Sequence, residues 1–256
     1  RFFTNIPHEL RTPLTLISGP ADQLAESSGI SGEARRLVEM IRRNAGILTQ
    51  MVGEILEFRK IQNDKARLTL NRFSLAAELN TWSADFKAVA DRRHIALNVC
   101  INKEGECMVI ADKDMIAHIY FNLMTNAIKY TPGNGSITTA LTYADGQYTV
   151  SVTDTGRGMS ADDCQHIFER FYQAKDSVGG VGIGLSIVKA YVDLHHGAVG
   201  VESEPGKGSR FSFTIPEAQP GYDAANDRQA EITAEPKLAD DYSVRDIAAE
   251  RNTATI

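Results

Sequence analysis

At 256 residues the chain is long enough for one large or two modest domains, and its hydrophobic fraction of 43% is ordinary for a globular protein. The formal net charge of -6 argues against a broad nucleic-acid footprint. The three cysteines show no C-x-x-C spacing, which argues against a disulfide framework or a zinc site and favours a reducing compartment.

Residues 1–62 are predicted to form a helical hairpin with a turn at Ser27–Gly32. Each helix carries one apolar stripe at alternating spacings of three and four residues, as in a coiled coil. The stripes are Leu10, Leu14, Ile17, Ala21 and Leu24, then Val38, Ile41, Ala45, Leu48, Val52 and Ile55. A hairpin with so thin a core usually pairs with a second copy as a four-helix bundle, so a homodimer is expected. Packing against the rest of the same chain is the alternative.

Residues 67–216 are predicted to form a second domain, because the hydrophobic period changes after Lys60. Strands and helices interleave there, and a hairpin across residues 144–146 favours a mixed sheet, hence an α/β sandwich. The predicted strands are 67–73, 95–101, 107–110, 136–143, 148–153, 199–203 and 209–215. The predicted helices are 75–93, 112–130, about 160–170 and 183–195. The fold class as a whole is α+β.

Residues 217–256 are predicted to be an acidic linker or disordered tail. Apolar residues thin out there, and nine acidic residues against four basic ones leave a net charge of -5.

Asn122, Asn126 and Lys129 lie at positions i, i+4 and i+7 of a predicted helix, on one face, with Tyr130 beside them. Two amides and a cation on one face suit a triphosphate with its metal ion. The alternative is a polar, solvated helix face.

Two glycine-rich segments follow this helix. Asp154–Met159 comes directly after a strand, where a carboxylate can accept a hydrogen bond from an adenine amino group and glycines allow close approach of the backbone. Gly179–Ser186 opens a helix whose exposed N–H groups can bind phosphate. Each segment alone is also compatible with a simple turn.

His8 has an acidic neighbour, Glu9, at the start of the first amphipathic helix. A neutral imidazole is a competent nucleophile near pH 7, and a neighbouring carboxylate can set its tautomer.

Two further segments are Ile167–Tyr172 and Glu204–Gly208, of which the second is most simply a turn between two strands. In chain order, all of these segments resemble the H, N, G1, F, G2 and G3 boxes of bacterial two-component sensor histidine kinases, over residues 1–216. The sequence near the N-terminus, at Phe2–Ile6 and Leu14–Pro20, is similar to that of hybrid sensor kinases. The resemblance implies a dimerisation and phosphotransfer hairpin followed by an ATP-binding domain of the gyrase/Hsp90/histidine-kinase/MutL type. Pro7 departs from the family pattern, which usually has a small polar residue before the histidine.

The resemblance also implies residue roles. His8 would accept the phosphoryl group. Glu9 would orient the His8 imidazole and take its proton, and Thr12 would help to hold a water that dephosphorylates the partner. Asn126 would ligate Mg²⁺, Asp154 would bind adenine, and the remaining positions would contact ATP. Those positions are Asn122, Lys129, Tyr130, Gly156, Gly158, Gly180, Gly182, Gly184 and Leu185, while Phe168 and Phe171 would pack the base of the lid.

The expected function is ATP-dependent autophosphorylation on His8 and transfer to an aspartate of a response-regulator receiver domain, in cis or in trans. A non-catalytic ATP-binding scaffold is the main alternative, and a gyrase- or Hsp90-like ATPase ranks last. We expect a fragment from the cytoplasmic part of a membrane-anchored sensor, which meets the membrane only through upstream regions and binds no nucleic acid.

Overall fold

The computed structural model describes residues 14–24 (except 16), 32–62, 68–102, 106–174 and 182–219. The chain divides into two compact units. Among the described residues, the first unit contains 14–62 and 182–183, and the second contains 68–174 and 184–219.

The described part of the first unit contains two helices: α1, the helical residues within 14–24, and α2, Gly32–Gln62. Arg42 and Asp22 form an ion pair of 2.5 Å between them. Both helices were predicted. Four members of the apolar stripes are buried: Leu14, Ala21, Val38 and Ala45. Four other members have side chains that are 46–49% exposed: Ile17, Leu24, Ile41 and Leu48. Leu10 and the Ile55 side chain lie outside the described part.

The second unit interleaves seven strands with four helices along its described residues. The helices are α3 (Leu75–Arg92), α4 (Lys113–Tyr130), α5 (Ala161–His166) and α6 (Gly184–Leu194). The strands are β1 (Leu70–Ser74), β2 (Ala96–Ile101), β3 (Met108–Asp112), β4 (Ser136–Ala144), β5 (Gln147–Asp154), β6 (Val199–Glu204) and β7 (Gly208–Pro216).

Five strands form one mixed sheet in the order β2-β4-β5-β7-β6, in which β2 runs parallel to β4 and the other pairs are antiparallel. Burial alternates along β4 and β7, so one face of the sheet is apolar. Helices α3, α4 and α6 pack on the sheet, and Ile137, Val150 and Phe213 are fully buried. The predicted α/β sandwich with a mixed sheet is confirmed.

A buried polar cluster fixes α4 against its neighbours. The Tyr120 hydroxyl lies 2.5 Å from Ser83 Oγ on α3 and 2.8 Å from Thr139 Oγ1 on β4. Burial raises the pKa of Tyr120 above its ordinary value. Because each hydroxyl has a partner, α4 is held by specific hydrogen bonds as well as by apolar packing.

The turn between β4 and β5 consists of Asp145 and Gly146, with φ values of 51° and 74°. Positive φ at both central residues is typical of the type I′ turn that matches strand twist in a two-residue hairpin. The predicted hairpin is therefore present, with strands one residue longer at each side of the turn.

Helix α5 is shorter than predicted, because it ends at His166 and not near residue 170. A capping box between Ser160 and Asp163 begins the helix. The chain then turns: Glu169 N donates to the His166 carbonyl, and Phe171 adopts a φ of 62°. Hydrophobic spacing alone does not reveal such a break, since it is made by local backbone hydrogen bonds.

The second unit also extends beyond residue 216, where the tail was predicted to begin. Glu217 accepts a hydrogen bond from Ile110 N (3.0 Å) and donates one to the Gly146 carbonyl (2.9 Å). The Tyr143 hydroxyl donates to Glu217 Oε2 at 2.6 Å. Glu217 is therefore part of the folded unit, and residues 220–256 lie outside the described part.

Candidate nucleotide-binding site

Helix α4 is two-faced. It buries Ile116, Ile119 and Leu123 in the core, while Asn122 and Asn126 are half-buried. Asn126 Nδ2 donates to Asn122 Oδ1 at 3.2 Å, so the two amides form a linked pair on one face. Since Asn126 uses its NH₂ group in this bond, its carbonyl oxygen is the atom suited to a cation.

The start of α6 meets the Asn122 end of this face. A Cβ atom added at Gly184 would lie 2.5 Å from Asn122 Nδ2, so only glycine lets the helix start approach the amide this closely. The first turn of α6 contains no acidic residue. Its N–H groups lie at the positive end of the helix dipole, beside the amide pair.

The other end of α4 meets the loop that follows β5. A Cβ atom added at Gly156 would lie 2.6 Å from the Tyr130 carbonyl oxygen and 2.5 Å from Asp154 Oδ1. From Asn122 to Tyr130 the helix advances about 12 Å. The polar face thus runs between two glycine-bearing segments over a length comparable to that of a nucleotide triphosphate.

Asp154 is a buried carboxylate at the end of β5. Gly156 N donates to its Oδ1 at 2.7 Å, and the backbone of Ser209 provides a second hydrogen bond. Burial raises the pKa of Asp154, and the two backbone hydrogen bonds oppose that rise. Backbone donors hold the carboxylate in place, as a group that must recognise one edge of a base requires.

The turn between β6 and β7 supports the Asp154–Met159 loop from behind. Gly206 N donates to the Arg157 carbonyl at 2.6 Å, and Met159 N donates to Ser203 Oγ at 2.8 Å. Gly158, with a φ of 68°, packs directly on the Glu204 carbonyl. The Glu204–Gly208 segment was predicted to be a turn between two strands, which is confirmed, and it fixes the shape of the loop.

Two cations converge on the Tyr130 ring. Arg157 Cζ lies 4.7 Å from the ring centroid, and Lys129 Nζ lies 4.9 Å from it. Sequence reasoning missed Arg157, since it stands between two glycines and no local pattern indicates its contact with α4. Its position inside D-x-G-x-G was the only available signal.

A hydrogen-bonded cluster lies just before Gln173–Val178, a short polar segment that the sequence predicts to be a mobile lid and whose residues 175–178 lie outside the described part. Tyr172 Oη donates to Asp163 Oδ1 at 2.9 Å, and this acceptor raises the pKa of Tyr172 to about 12. His166 Nδ1 lies 2.8 Å from Glu169 Oε1, which raises the pKa of His166. The cluster anchors the chain where the lid would begin.

The two phenylalanines predicted to pack the lid base differ from each other. The Phe168 ring meets Phe211 edge to face at 6.3 Å. Phe171 is 65% exposed, so its side chain packs little within the described part of the chain.

The structure brings together Asn122 with Asn126 and Gly184, and Tyr130 with Lys129, Asp154 and Gly156. Leu185 lies half-buried in the first turn of α6, and Gly182 has a φ of 74°. The remaining predicted site residues, His8, Glu9, Thr12 and Gly180, lie outside the described residues.

The donor set fits a nucleotide with its divalent cation. Within the described ranges, no three His, Cys, Asp or Glu side chains cluster to hold a metal ion. An amide oxygen such as that of Asn126 is a ligand type that Mg²⁺ accepts together with phosphate oxygens and water.

Comparisons with known proteins agree with this geometry. The model of the His Kinase A (phospho-acceptor) domain matches residues 1–64. The model of the histidine kinase-, DNA gyrase B- and HSP90-like ATPase matches residues 111–219. The second match alone does not separate a kinase from a gyrase-like ATPase, but the phospho-acceptor domain in front of it does. The chain belongs to the two-component sensor histidine kinases.

Individual relatives point to the same family of kinases. Sensor histidine kinase TmoS of Ectopseudomonas mendocina is 34% identical over 221 residues, which are 84% of this chain and 22% of that protein. Histidine protein kinase DivJ of Caulobacter vibrioides is 31% identical over 84% of this chain and 37% of its own length. The chain therefore spans well under half of the length of each of these two relatives.

A solved structure, full-length ShkA in complex with AMPPNP, superposes with a TM-score of 0.73 and 30% identity over 84% of this chain and 45% of that one. These relatives lend no support to the alternative of a non-catalytic scaffold.

Among the helices of the described ranges, none is both long and apolar enough to cross a membrane.

Proposed function

We propose that this histidine kinase chain phosphorylates itself on His8 with ATP and then passes the phosphoryl group to an aspartate of a response-regulator receiver domain. The observation that carries the proposal is the polar face of α4 between Gly184 and Gly156, which lies in a chain that also contains the His8-Glu9 motif.

The two ends of α4 would hold different parts of ATP. Asp154 would accept a hydrogen bond from the adenine amino group, since backbone donors hold its carboxylate at the loop end. Asn122, Lys129 and the start of α6 would contact the phosphates, and Asn126 would ligate Mg²⁺. The ion would neutralise charge on the phosphate oxygens, the usual contribution of a metal to phosphoryl transfer.

The covalent step is nucleophilic displacement at the γ-phosphorus. The unprotonated nitrogen of neutral His8 forms an N–P bond while the bond from the γ-phosphorus to the bridging oxygen breaks, and ADP leaves. Glu9 would hold the imidazole tautomer and take the proton of the cation formed. Thr12, one helical turn later, would hold the water used to dephosphorylate the receiver.

Dimerisation is proposed from the exposed stripes of the hairpin. Ile17, Leu24, Ile41 and Leu48 are each about half exposed in the single chain. Large apolar side chains at coiled-coil spacing favour burial against equivalent helices, and a second copy offers the same stripes. A symmetric four-helix bundle satisfies both copies at once.

Relatives that are sensor histidine kinases support a setting for the reaction. We place the chain in the cytoplasm as part of a membrane-anchored sensor, whose membrane contact is made by upstream segments. Its macromolecular partners are then a second copy and a receiver domain.

Incubation with γ-labelled ATP and Mg²⁺ tests the proposal. Wild type is expected to acquire acid-labile, alkali-stable label, and His8→Gln is expected to acquire none. His94→Gln, at an exposed histidine of the second unit, is the matched control and should label normally. Failure of wild type to label while it binds nucleotide would contradict the kinase function.

A second assay tests transfer. Labelled wild-type chain is mixed with purified receiver domains, and loss of label from the chain with gain on one receiver is expected. A receiver whose acceptor aspartate is replaced by asparagine should stay unlabelled, and label on that variant would contradict aspartate as the acceptor.

A further inference from the structure

We propose that Arg157 is a positioning residue for the nucleotide, which acts by holding the ring of Tyr130 against the adenosine end of the site. The inference rests on the proposed function, because it presumes a nucleotide between Asp154 and Asn122. It adds a residue from within the D-x-G-x-G segment that is neither an acid nor a glycine.

The first observation is the contact itself. The guanidinium carbon of Arg157 lies 4.7 Å from the centroid of the Tyr130 ring, within cation–π distance. Lys129 Nζ lies 4.9 Å from the same centroid. Arg157 makes the longer-range of these two contacts, since Lys129 directly precedes Tyr130 in the chain.

The second observation is that the backbone on both sides of this contact is fixed. The Arg157 carbonyl accepts a hydrogen bond from Gly206 N, and Gly158 packs on the Glu204 carbonyl. Tyr130 ends α4, whose core face is buried. Because neither backbone is loose, the side-chain contact joins two rigid elements.

The third observation is that the backbone of Tyr130 lies beside Asp154, at the proposed base end of the site. The Tyr130 carbonyl and the Asp154 carboxylate both border the space that a Cβ at Gly156 would occupy. Arg157 is the next residue in the chain. A planar guanidinium is weakly hydrated and stacks readily on aromatic faces, so it suits the support of a flat wall beside a nucleoside.

The consequence is a defined pattern of affinity. If Arg157 acts through Tyr130 at the adenosine end, its removal weakens ADP and AMPPNP equally. If it instead met the terminal phosphate, AMPPNP would lose more than ADP.

The test is calorimetric titration of the full 256-residue chain with ADP and with AMPPNP, each with Mg²⁺. Arg157→Gln is expected to raise both dissociation constants about two- to fivefold, the range for an exposed cation–π contact. Arg157→Lys should keep part of the affinity, since an ammonium ion also binds a ring face but lacks the planar, weakly hydrated surface of the guanidinium. Arg210→Gln is the matched control and should change neither constant, because Arg210 lies in β7 and pairs with Glu202 at 3.1 Å.

A double-mutant cycle with Tyr130→Leu separates positioning from a general loss of structure. Arg157→Gln should add no further loss in the Tyr130→Leu background, whereas Tyr130→Phe should preserve the effect of Arg157. Additive losses, equal failure of the Lys variant, or a larger loss for AMPPNP would each overturn the inference. Unchanged affinity in Arg157→Gln would overturn this inference alone, while absence of nucleotide binding by wild type would overturn the proposed function as well.

Discussion

Asp112 and His195 are joined by a hydrogen bond in which the backbone N–H of Asp112 donates to His195 Nε2 at 3.0 Å. Nδ1 of the same ring donates to the Tyr191 carbonyl at 2.7 Å. The neutral imidazole therefore uses Nδ1 as a donor and Nε2 as an acceptor. Asp112 also caps α4 by accepting from Met115 N at 3.1 Å. The start of α4 thus depends on a neutral histidine that directly follows α6.

This bond predicts a pH-dependent stability. Burial lowers the pKa of His195 from its ordinary value of 6.5. The unfolded chain consequently binds more protons than the folded one between the lowered pKa and 6.5. Neutral His195 therefore adds to the free energy of unfolding, and this contribution is fully present above pH 6.5. It is lost as the pH falls from 6.5 through the lowered pKa, by up to about 1.4 kcal/mol per pH unit.

Urea unfolding between pH 5 and 7.5 measures the slope of the free energy of unfolding against pH. His195→Asn should reduce it, while His94→Asn should not, because His94 is exposed and its φ of 55° suits asparagine. NMR titration of the wild-type His195 ring provides an independent check. A ring that titrates at or above its ordinary pKa would contradict the prediction.

Gly158 and Gly146 separate the effects of backbone conformation and of steric contact. Both have positive φ, 68° and 74°, but a Cβ at Gly146 meets nothing within 4 Å, whereas one at Gly158 meets the Glu204 carbonyl. Gly146→Ala should lower the free energy of unfolding by about 1–2 kcal/mol, the effect of left-handed backbone alone. Gly158→Ala should lower it further and weaken AMPPNP binding, since the loop must move. Equal values in denaturant unfolding would show that the loop yields freely.

Gly184→Ala should separate stability from nucleotide affinity. Alanine favours a helix over glycine by about 0.5–1 kcal/mol, but its Cβ would lie 2.5 Å from Asn122 Nδ2 and displace that amide. We expect an unchanged or higher melting temperature, with AMPPNP affinity lower by about tenfold, as for the loss of one hydrogen bond to a charged group. Gly32→Ala, at the start of α2, is the control, because a Cβ atom there would meet no described atom within 4 Å. Retained affinity in Gly184→Ala would show that Asn122 does not contact the nucleotide.

Leu48→Glu tests the proposed dimer. Leu48 is 49% exposed in the single chain and belongs to the α2 stripe. A charge buried in a four-helix interface is strongly unfavourable, so the variant should elute as a monomer in size-exclusion chromatography with light scattering. Arg36→Glu, at an exposed position outside the stripe, should leave the oligomeric state unchanged. A dimeric Leu48→Glu chain would locate the interface elsewhere.

The sequence by itself determined the kinds of elements and the order of the motifs. Helix α4 and its polar face were predictable because Asn122, Asn126 and Lys129 follow the helical period, and the β4–β5 hairpin because Asp145-Gly146 favours one turn type. These features depend on residues close together in the chain. Where local hydrogen bonds overrode the hydrophobic period, as in the early end of α5, the prediction was wrong.

Only the tertiary structure decided which distant residues meet. Arg157 reaches Tyr130, Glu217 joins Ile110 and Gly146, and His195 holds Asp112. Each pair is set by the order of strands in the sheet and by how α4 and α6 pack on it, and a change in that order would separate them without altering any local propensity. The physical reason is that such contacts arise from the burial of a shared apolar face, which a linear pattern indicates without naming its partners.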